Sequence, residues 1–191
     1  EIADLKDIVS KLVKNQNCHK KKKKELITQE MIKGKSFTYT NPEMAKWLIK
    51  NHTQLKLNDL VLDACKGGGA FYDNLPPLVK KDWCEIDLGK DFLTYNKKVD
   101  VCMSSPPFVP RKLFWSFMYK AMEITRRKIY WLINMSSLNT FTPKRLEMMK
   151  KNKWFIQKFT VVMDKRWFGR YVWVEFGRED KGFFDYNTES Y

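Results

Sequence analysis

The sequence is poor in the residues that staple small secreted domains or hold structural metals. It has four cysteines, Cys18, Cys65, Cys84 and Cys102, with no CxxC pair among them, and two histidines, His19 and His52. A disulfide scaffold or a zinc module needs paired ligands at short spacing. Cys18-His19 has no second pair to complete it, so no metal site is expected. Cys84 and Cys102 fall in apolar surroundings and read as small buried hydrophobes of a reducing compartment. No apolar stretch approaches the ~20 residues that a membrane-spanning helix requires. Nor is a secretory signal or an internal repeat visible, so a soluble protein of the cytoplasm or nucleus is expected. Acidic residues are also in deficit, with 36 lysines and arginines against 22 aspartates and glutamates and a net charge of +14. Such a surplus raises local phosphate concentration and makes binding salt-dependent, which points to nucleic acid as partner. Base-composition bias in a gene also enriches lysine, so charge alone leaves that origin open.

The 191 residues suffice for one domain with a sheet buried between helical layers. Ile2, Leu5, Ile8, Val9, Leu12 and Val13 recur at helical spacing, and Lys20-Lys21-Lys22-Lys23-Lys24 follows. The organisation expected is an amphipathic helix and basic segment over 1–35, a catalytic domain over 36–180 and a tail over 181–191. The first helix must cover its apolar face, on the domain itself or on a partner subunit or second copy.

The most informative segment is Ser105-Pro106-Pro107-Phe108, which follows an apolar run over 99–103. Two prolines fix successive φ angles and remove two backbone donors, leaving carbonyls free to accept from an NH2 group. Phe108 offers a stacking face and Ser105 a further acceptor. Upstream, a short apolar strand over 60–63 runs into Asp63-Ala64-Cys65-Lys66-Gly67-Gly68-Gly69-Ala70-Phe71, followed by Trp83-Cys84-Glu85-Ile86-Asp87 and Gly89-Lys90-Asp91-Phe92.

This ordered succession resembles the class I S-adenosylmethionine-dependent amino-methyltransferases that act on nucleic-acid bases, whose signature is Asp, Asn or Ser followed by Pro-Pro-aromatic. The nearest likeness is to small phage-type and giant-virus-type DNA adenine methyltransferases. It covers residues 36–110 by motif and 111–180 only by the alternation of helix and strand. The fold it implies is α/β and Rossmann-like, a mostly parallel seven-stranded sheet with one antiparallel strand and helices on both faces. It also implies that the three motif loops share one crevice at the carboxyl ends of the strands. There Asp63, Ala64, Cys65, Gly67 and Gly69 would hold S-adenosylmethionine, the glycines feeding a helix whose amino terminus faces the cofactor carboxylate. Glu85 would accept the ribose hydroxyls, with Ile86 beside it. Asp91 would accept the adenine amino group or else serve as a turn cap, and Phe92 would pack near the ring. Phe37, Thr38 and Thr40 would close over the methionine end. Cys65 departs from the proline common at that position.

Asn41-Pro42 starts a helix expected to reach residue 50, and further helices are expected over 113–126 and, capped by Thr142, over 143–151. Strands are expected over 129–133, 154–163 and 171–176, the last two as an antiparallel pair. The resemblance assigns catalysis to Ser105, Pro106, Pro107 and Phe108. Ser105 and the Pro106 carbonyl would accept the amine N–H bonds while Phe108 stacks on a base flipped from its helix. The residues expected to meet nucleic acid are Lys165, Arg166, Trp167 and Arg170, together with the 136–142 loop. DNA adenine-N6 is the expected target. Cytosine-N4, to which Ser-Pro-Pro-aromatic is more usual, an RNA base, and a non-catalytic nucleic-acid-binding subunit of the same fold stand as alternatives.

Overall fold

The computed structural model describes residues 39–165 and 169–182. The amphipathic and basic stretches over 1–24 lie outside the described residues, as do Phe37, Thr38, Arg166, Trp167 and the tail from 183.

Six strands form a single sheet among the described residues: β1 (Leu60–Asp63), β2 (Lys80–Trp83), β3 (Val99–Ser104), β4 (Thr125–Asn134), β5 (Phe155–Val162) and β6 (Tyr171–Gly177). Their order is β2-β1-β3-β4-β6-β5. β1 to β4 run parallel, and β6 is antiparallel to both β4 and β5, so one strand is reversed as expected. The chain leaves β1 for β2 on one side and reaches β3 on the other. That reversal of strand order opens a crevice at the carboxyl end of β1.

The expected seventh strand is absent among the described residues. The segment joining β2 to β3 holds only two one-turn 3-10 helices, Ile86–Leu88 and Phe92–Thr94, which leaves no length for a further strand and makes β2 an edge. The helix expected after the glycine loop is likewise reduced to one 3-10 turn, Tyr72–Asn74. Pro76 and Pro77 follow at once, and a proline disfavours helical backbone in the residue before it.

Helices cover both faces. On one, α1 (Pro42–His52) buries Ala45, Leu48 and Ile49 with Val61, Val101, Met103, Tyr130, Leu132 and Trp173. Asn41 caps α1 through Oδ1, which accepts from the Glu43 N–H at 3.0 Å, and Pro42 occupies the first turn. On the other face, α2 (Arg111–Ile124) and α3 (Pro143–Lys151) cover the alternate strand residues Leu62, Cys102, Ile129, Trp131, Ile133, Val174 and Phe176. α2 stops at Ile124, before the expected residue 126, because β4 starts at Thr125 and sends Arg126 to Asp100 at 3.1 Å and Arg127 to Asp59. Thr142 starts α3 with its carbonyl, which accepts from the Arg145 and Leu146 N–H groups, and its side chain makes no capping bond.

Large aromatics fill both layers, and three of the buried indoles pair their N–H as they are buried, while that of Trp131 finds no well-formed partner. The Trp154 indole donates to the Met122 carbonyl at 3.2 Å, that of Trp173 to the His52 carbonyl at 3.2 Å, and that of Trp115 to Thr140 Oγ1 at 3.0 Å. Each such side chain removes about 150–250 Å² from water. At ~25 cal/mol per Å² that is roughly 4–6 kcal/mol, an upper figure because unfolded chains are already partly collapsed. These residues make the sheet a rigid platform for the loops at its carboxyl edge.

Candidate active site

Asp63 ends β1 with no exposed surface. Its Oδ1 accepts from the Cys65 N–H at 3.3 Å and from Ser104 Oγ at 3.1 Å. Oδ2 is buried and makes no well-formed hydrogen bond, a weak pull from the Tyr72 backbone aside. Burial therefore pushes the Asp63 carboxyl up to about 7, the hydrogen bonds from Ser104 and Cys65 only partly opposing it. The loop is tied to both neighbouring strands. Ala64 N–H donates to the Met103 carbonyl at 3.1 Å on the β3 side, and Lys66 N–H donates to the Cys84 carbonyl at 2.8 Å on the β2 side.

Gly67 and Gly69 then take φ values of +50° and +87°, in the left-handed region that side-chain-bearing residues avoid. A Cβ on Gly69 would lie 2.2 Å from Asp73 Oδ2, and one on Gly67 would lie 3.0 Å from the Tyr39 ring. The glycines thus bring bare backbone to the crevice, where Gly67 N–H donates to Glu85 Oε2 at 2.7 Å. Glu85 also accepts from the Asp87 N–H at 3.3 Å, and its carbonyl accepts from Lys90 N–H at 3.0 Å. Asp63 and Gly67, from the glycine-loop motif, and Glu85, from the motif that follows it, accordingly converge.

Ser105 and Phe108 are half-buried and Pro106 is buried, in the irregular segment leaving β3 next to β1. The Phe108 ring packs against the core and sits 6.2 Å from that of Tyr171, tilted by 55°. Ile86 is exposed beside Glu85, which leaves an apolar surface at the edge of the crevice.

Asp91 caps a 3-10 turn, its Oδ1 accepting from the Leu93 N–H at 2.9 Å. The Phe92 side chain is buried, its ring 5.0 Å from that of Phe117. The 136–142 stretch is not an open loop. It belongs largely to a 3-10 helix, Met135–Thr140, in which Ser137 and Thr140 are buried and Asn134 Oδ1 accepts from the Ser137 N–H at 2.8 Å. Lys165 and Arg170 are exposed between β5 and β6, whereas Thr40 is half-buried just ahead of the α1 cap.

Two residues at the crevice had no clear sequence signal. Tyr39, 61% exposed, is the aromatic that lies over Gly67 and Gly68, one position beyond Thr38 in the same Thr-rich stretch. Ser104 is wholly buried and offers its hydroxyl to Asp63 and, at 3.4 Å, to the Cys65 carbonyl, which joins β3 to the glycine loop. A serine ending an apolar run looks like a strand terminus; only the neighbouring Asp63 gives it this role. Cys65, Cys84 and Cys102 are free, and burial pushes all three thiols up, that of Cys84 to about 12, which makes them inert. Among the described residues no cluster of His, Cys, Asp and Glu could hold a metal, and no helix is long and apolar enough to cross a membrane.

The sheet order, the reversed strand and the crevice at β1 define the class I methyltransferase fold. Solved structures bear this out at low sequence identity. The magnesium protoporphyrin IX methyltransferase ChlM of Synechocystis, with bound S-adenosylmethionine, is 12% identical with a TM-score of 0.54 over 72% of this chain and 77% of its own. The 23S rRNA methyltransferase ErmE is 13% identical with a TM-score of 0.54, over 75% of this chain and 70% of its own. The Mtq2-Trm112 complex of E. cuniculi, which methylates the termination factor eRF1, matches at 15% identity and a TM-score of 0.53, over 74% of this chain and 96% of the matched chain. No protein-family model matches the sequence, and no curated protein matches it. A shared fold at this distance carries no substrate with it, as those three activities illustrate.

Proposed function

We propose that the protein is an S-adenosylmethionine-dependent methyltransferase acting on the exocyclic amine of a nucleic-acid base, with adenine-N6 in DNA as its target. The observation that carries this reading is the emergence of Ser105-Pro106-Pro107-Phe108 from β3, directly beside the β1 loop whose Gly67 is hydrogen-bonded to Glu85. The net charge of +14 supports a polyanionic substrate.

The crevice suits the cofactor. The buried Asp63 Oδ2 has unfilled hydrogen-bonding capacity, and positive φ together with the close approach of Tyr39 and Asp73 keeps Gly67 and Gly69 free of side chains, so that bare backbone borders the crevice. Asp63, Gly67 and Gly69 would hold its amino-acid end. Glu85 would accept from the ribose hydroxyls, each carboxylate oxygen having a second lone pair beyond its present bond. Ile86 would contact the adenine. When bound, the cofactor supplies a methyl group on a positively charged sulfur.

An aromatic exocyclic amine is a weak nucleophile because its lone pair is delocalised into the ring. Ser105 Oγ and the Pro106 carbonyl, as two acceptors for its N–H bonds, draw the nitrogen toward tetrahedral geometry and stabilise the positive charge that develops on it. The two prolines hold these acceptors in place, and Phe108 fixes the plane of the base, which removes much of the entropic barrier. A base in a duplex must first be flipped out, at a cost of a few kcal/mol. A hydroxyl at position 105, in place of a carboxamide, supports cytosine-N4 as the second reading.

The reading is tested by offering labelled S-adenosylmethionine with homopolymeric deoxyadenylate, deoxycytidylate and their RNA counterparts. Label is expected in deoxyadenylate. Label in deoxycytidylate would move the reading to cytosine-N4, label only in RNA would replace DNA, and none in any polymer would overturn it.

A further inference from the structure

Next to the crevice lies an array of lysines and aromatic rings that the proposed chemistry does not use. Lys66, inside the glycine loop, places Nζ 5.1 Å from the Tyr72 ring centroid and 5.0 Å from that of Trp83. Lys81 stands 4.6 Å from the Tyr72 centroid, and Lys90 stands 3.7 Å from that of Trp83. The result is a continuous ladder, Lys81, Tyr72, Lys66, Trp83, Lys90, running from the edge strand β2 to the turn that carries Glu85.

Two features set this ladder apart from ordinary lysines lying along a surface. Its neighbouring ammonium groups fall within about one Debye length of each other at ~0.1 M salt, so their repulsion is not screened out. Yet among the described residues none of the three forms an ion pair; the one carboxylate of β2, Asp82, is bridged by Lys97 at 3.5 Å and accepts from the Tyr95 hydroxyl at 3.0 Å. Second, the rings hold the lysines in place. A free lysine loses up to about 2 kcal/mol of side-chain entropy when an anion fixes it, and cation–π contact meets part of that cost in advance. A row of pre-positioned cations, none in an ion pair although Lys90 joins Lys97 in holding the Asp82 carboxyl down, fits a regularly spaced polyanion.

We propose that Lys66, Lys81 and Lys90, aligned by Tyr72 and Trp83, form a contact strip for the phosphate backbone of the nucleic-acid substrate. Because the strip joins the Glu85 turn, it orients the strand flanking the target base relative to the cofactor side of the crevice. This rests on the proposed function for the identity of the polyanion.

The test is the salt dependence of binding to a labelled duplex oligonucleotide, by fluorescence anisotropy from about 50 to about 200 mM salt, where each lost phosphate contact lowers the slope by roughly 0.9. The Lys81→Gln/Lys90→Gln protein is compared with the unaltered one and with Lys81→Arg/Lys90→Arg. The expected result is a slope reduced by about two contacts and affinity weakened at least ~tenfold at low salt, both restored by arginine. An unchanged slope in the glutamine protein overturns the strip, and so does a loss that arginine fails to restore. Methyl transfer by the unaltered protein is measured in parallel. Transfer with an unchanged slope defeats the strip and leaves the proposed function standing; a reduced slope without any transfer does the reverse. No binding by the unaltered protein defeats both.

Discussion

Replacing Asp63 by asparagine probes a strongly perturbed carboxyl at the crevice. Asp63 is fully buried with one oxygen unpaired, and burial lifts its carboxyl to about 7, against 3.8 for an ordinary aspartate. Below pH ~4 the group is protonated in both folded and unfolded chains and adds no pH dependence. As the pH rises from there toward 7, the unfolded chain releases the proton and the folded chain keeps it. The folded state then binds more protons, so stability falls with rising pH by about 1.4 kcal/mol per unit. Across a window of roughly three units the loss is on the order of 4 kcal/mol, and above pH 7 it levels off because both states are ionised. The Asp63→Asn protein has no such slope. Urea unfolding of both proteins at intervals between pH 5 and 8 removes the contribution of every other titrating group by difference. The variant is expected to gain on the unaltered protein by about 2–4 kcal/mol over that range, on top of a constant offset for its altered bonds to Cys65 and Ser104. Parallel curves, or a variant that loses ground as pH rises, would refute the assignment of a buried, largely uncharged Asp63.

Two further outcomes separate structural from binding roles. Gly69→Ala and Gly89→Ala both force alanine into left-handed backbone, φ being +87° and +76°, at about 1–2 kcal/mol each in urea unfolding, and Gly69→Ala is expected to cost more because its Cβ would lie 2.2 Å from Asp73 Oδ2. Gly69 lies in the loop proposed to hold the cofactor, so only Gly69→Ala is expected to weaken S-adenosylmethionine binding by calorimetry; equal effects on affinity would contradict that placing. Glu85→Gln keeps an acceptor for Gly67 N–H but removes the charge. It should raise the cofactor Kd by about 10–100-fold, in line with ~1.5–3 kcal/mol for hydrogen bonds to a charged group, and an unchanged Kd would remove Glu85 from the site.

The parts of this molecule written in local pattern were readable in the sequence. β1 begins at Leu60 and ends at Asp63 as the apolar run and the acid require, and the Asn41-Pro42 start of α1 follows from cap chemistry. The antiparallel β5 and β6 pair follows from two β-rich runs separated by a turn. What the pattern could not reveal was the shortening of the connections. Motif order is preserved whether a glycine loop feeds a full helix or the single turn Tyr72–Asn74, so one helix and one strand were expected that the chain has no length to form. Asp91 and Phe92 show a related limit. Their types suit a crevice, and the pattern does not reveal that Asp91 also caps a turn and that the Phe92 ring packs on Phe117. Tyr39, Ser104 and the lysine ladder depend on neighbours distant in sequence, and no spacing rule announces them.

Ser105-Pro106-Pro107-Phe108 is proposed to hold a base amine for methylation. Nucleoside mass spectrometry of DNA and RNA treated with the protein and S-adenosylmethionine, with Ser105→Ala in parallel, tests this without any assumption about binding. N6-methyladenine is expected in DNA, reduced about tenfold or more in the variant, as the loss of one hydrogen-bond acceptor of ~1.5–3 kcal/mol in the transition state entails. Equal product from both proteins would remove Ser105 from the reaction, and no methylated base in either polymer would overturn the proposed function.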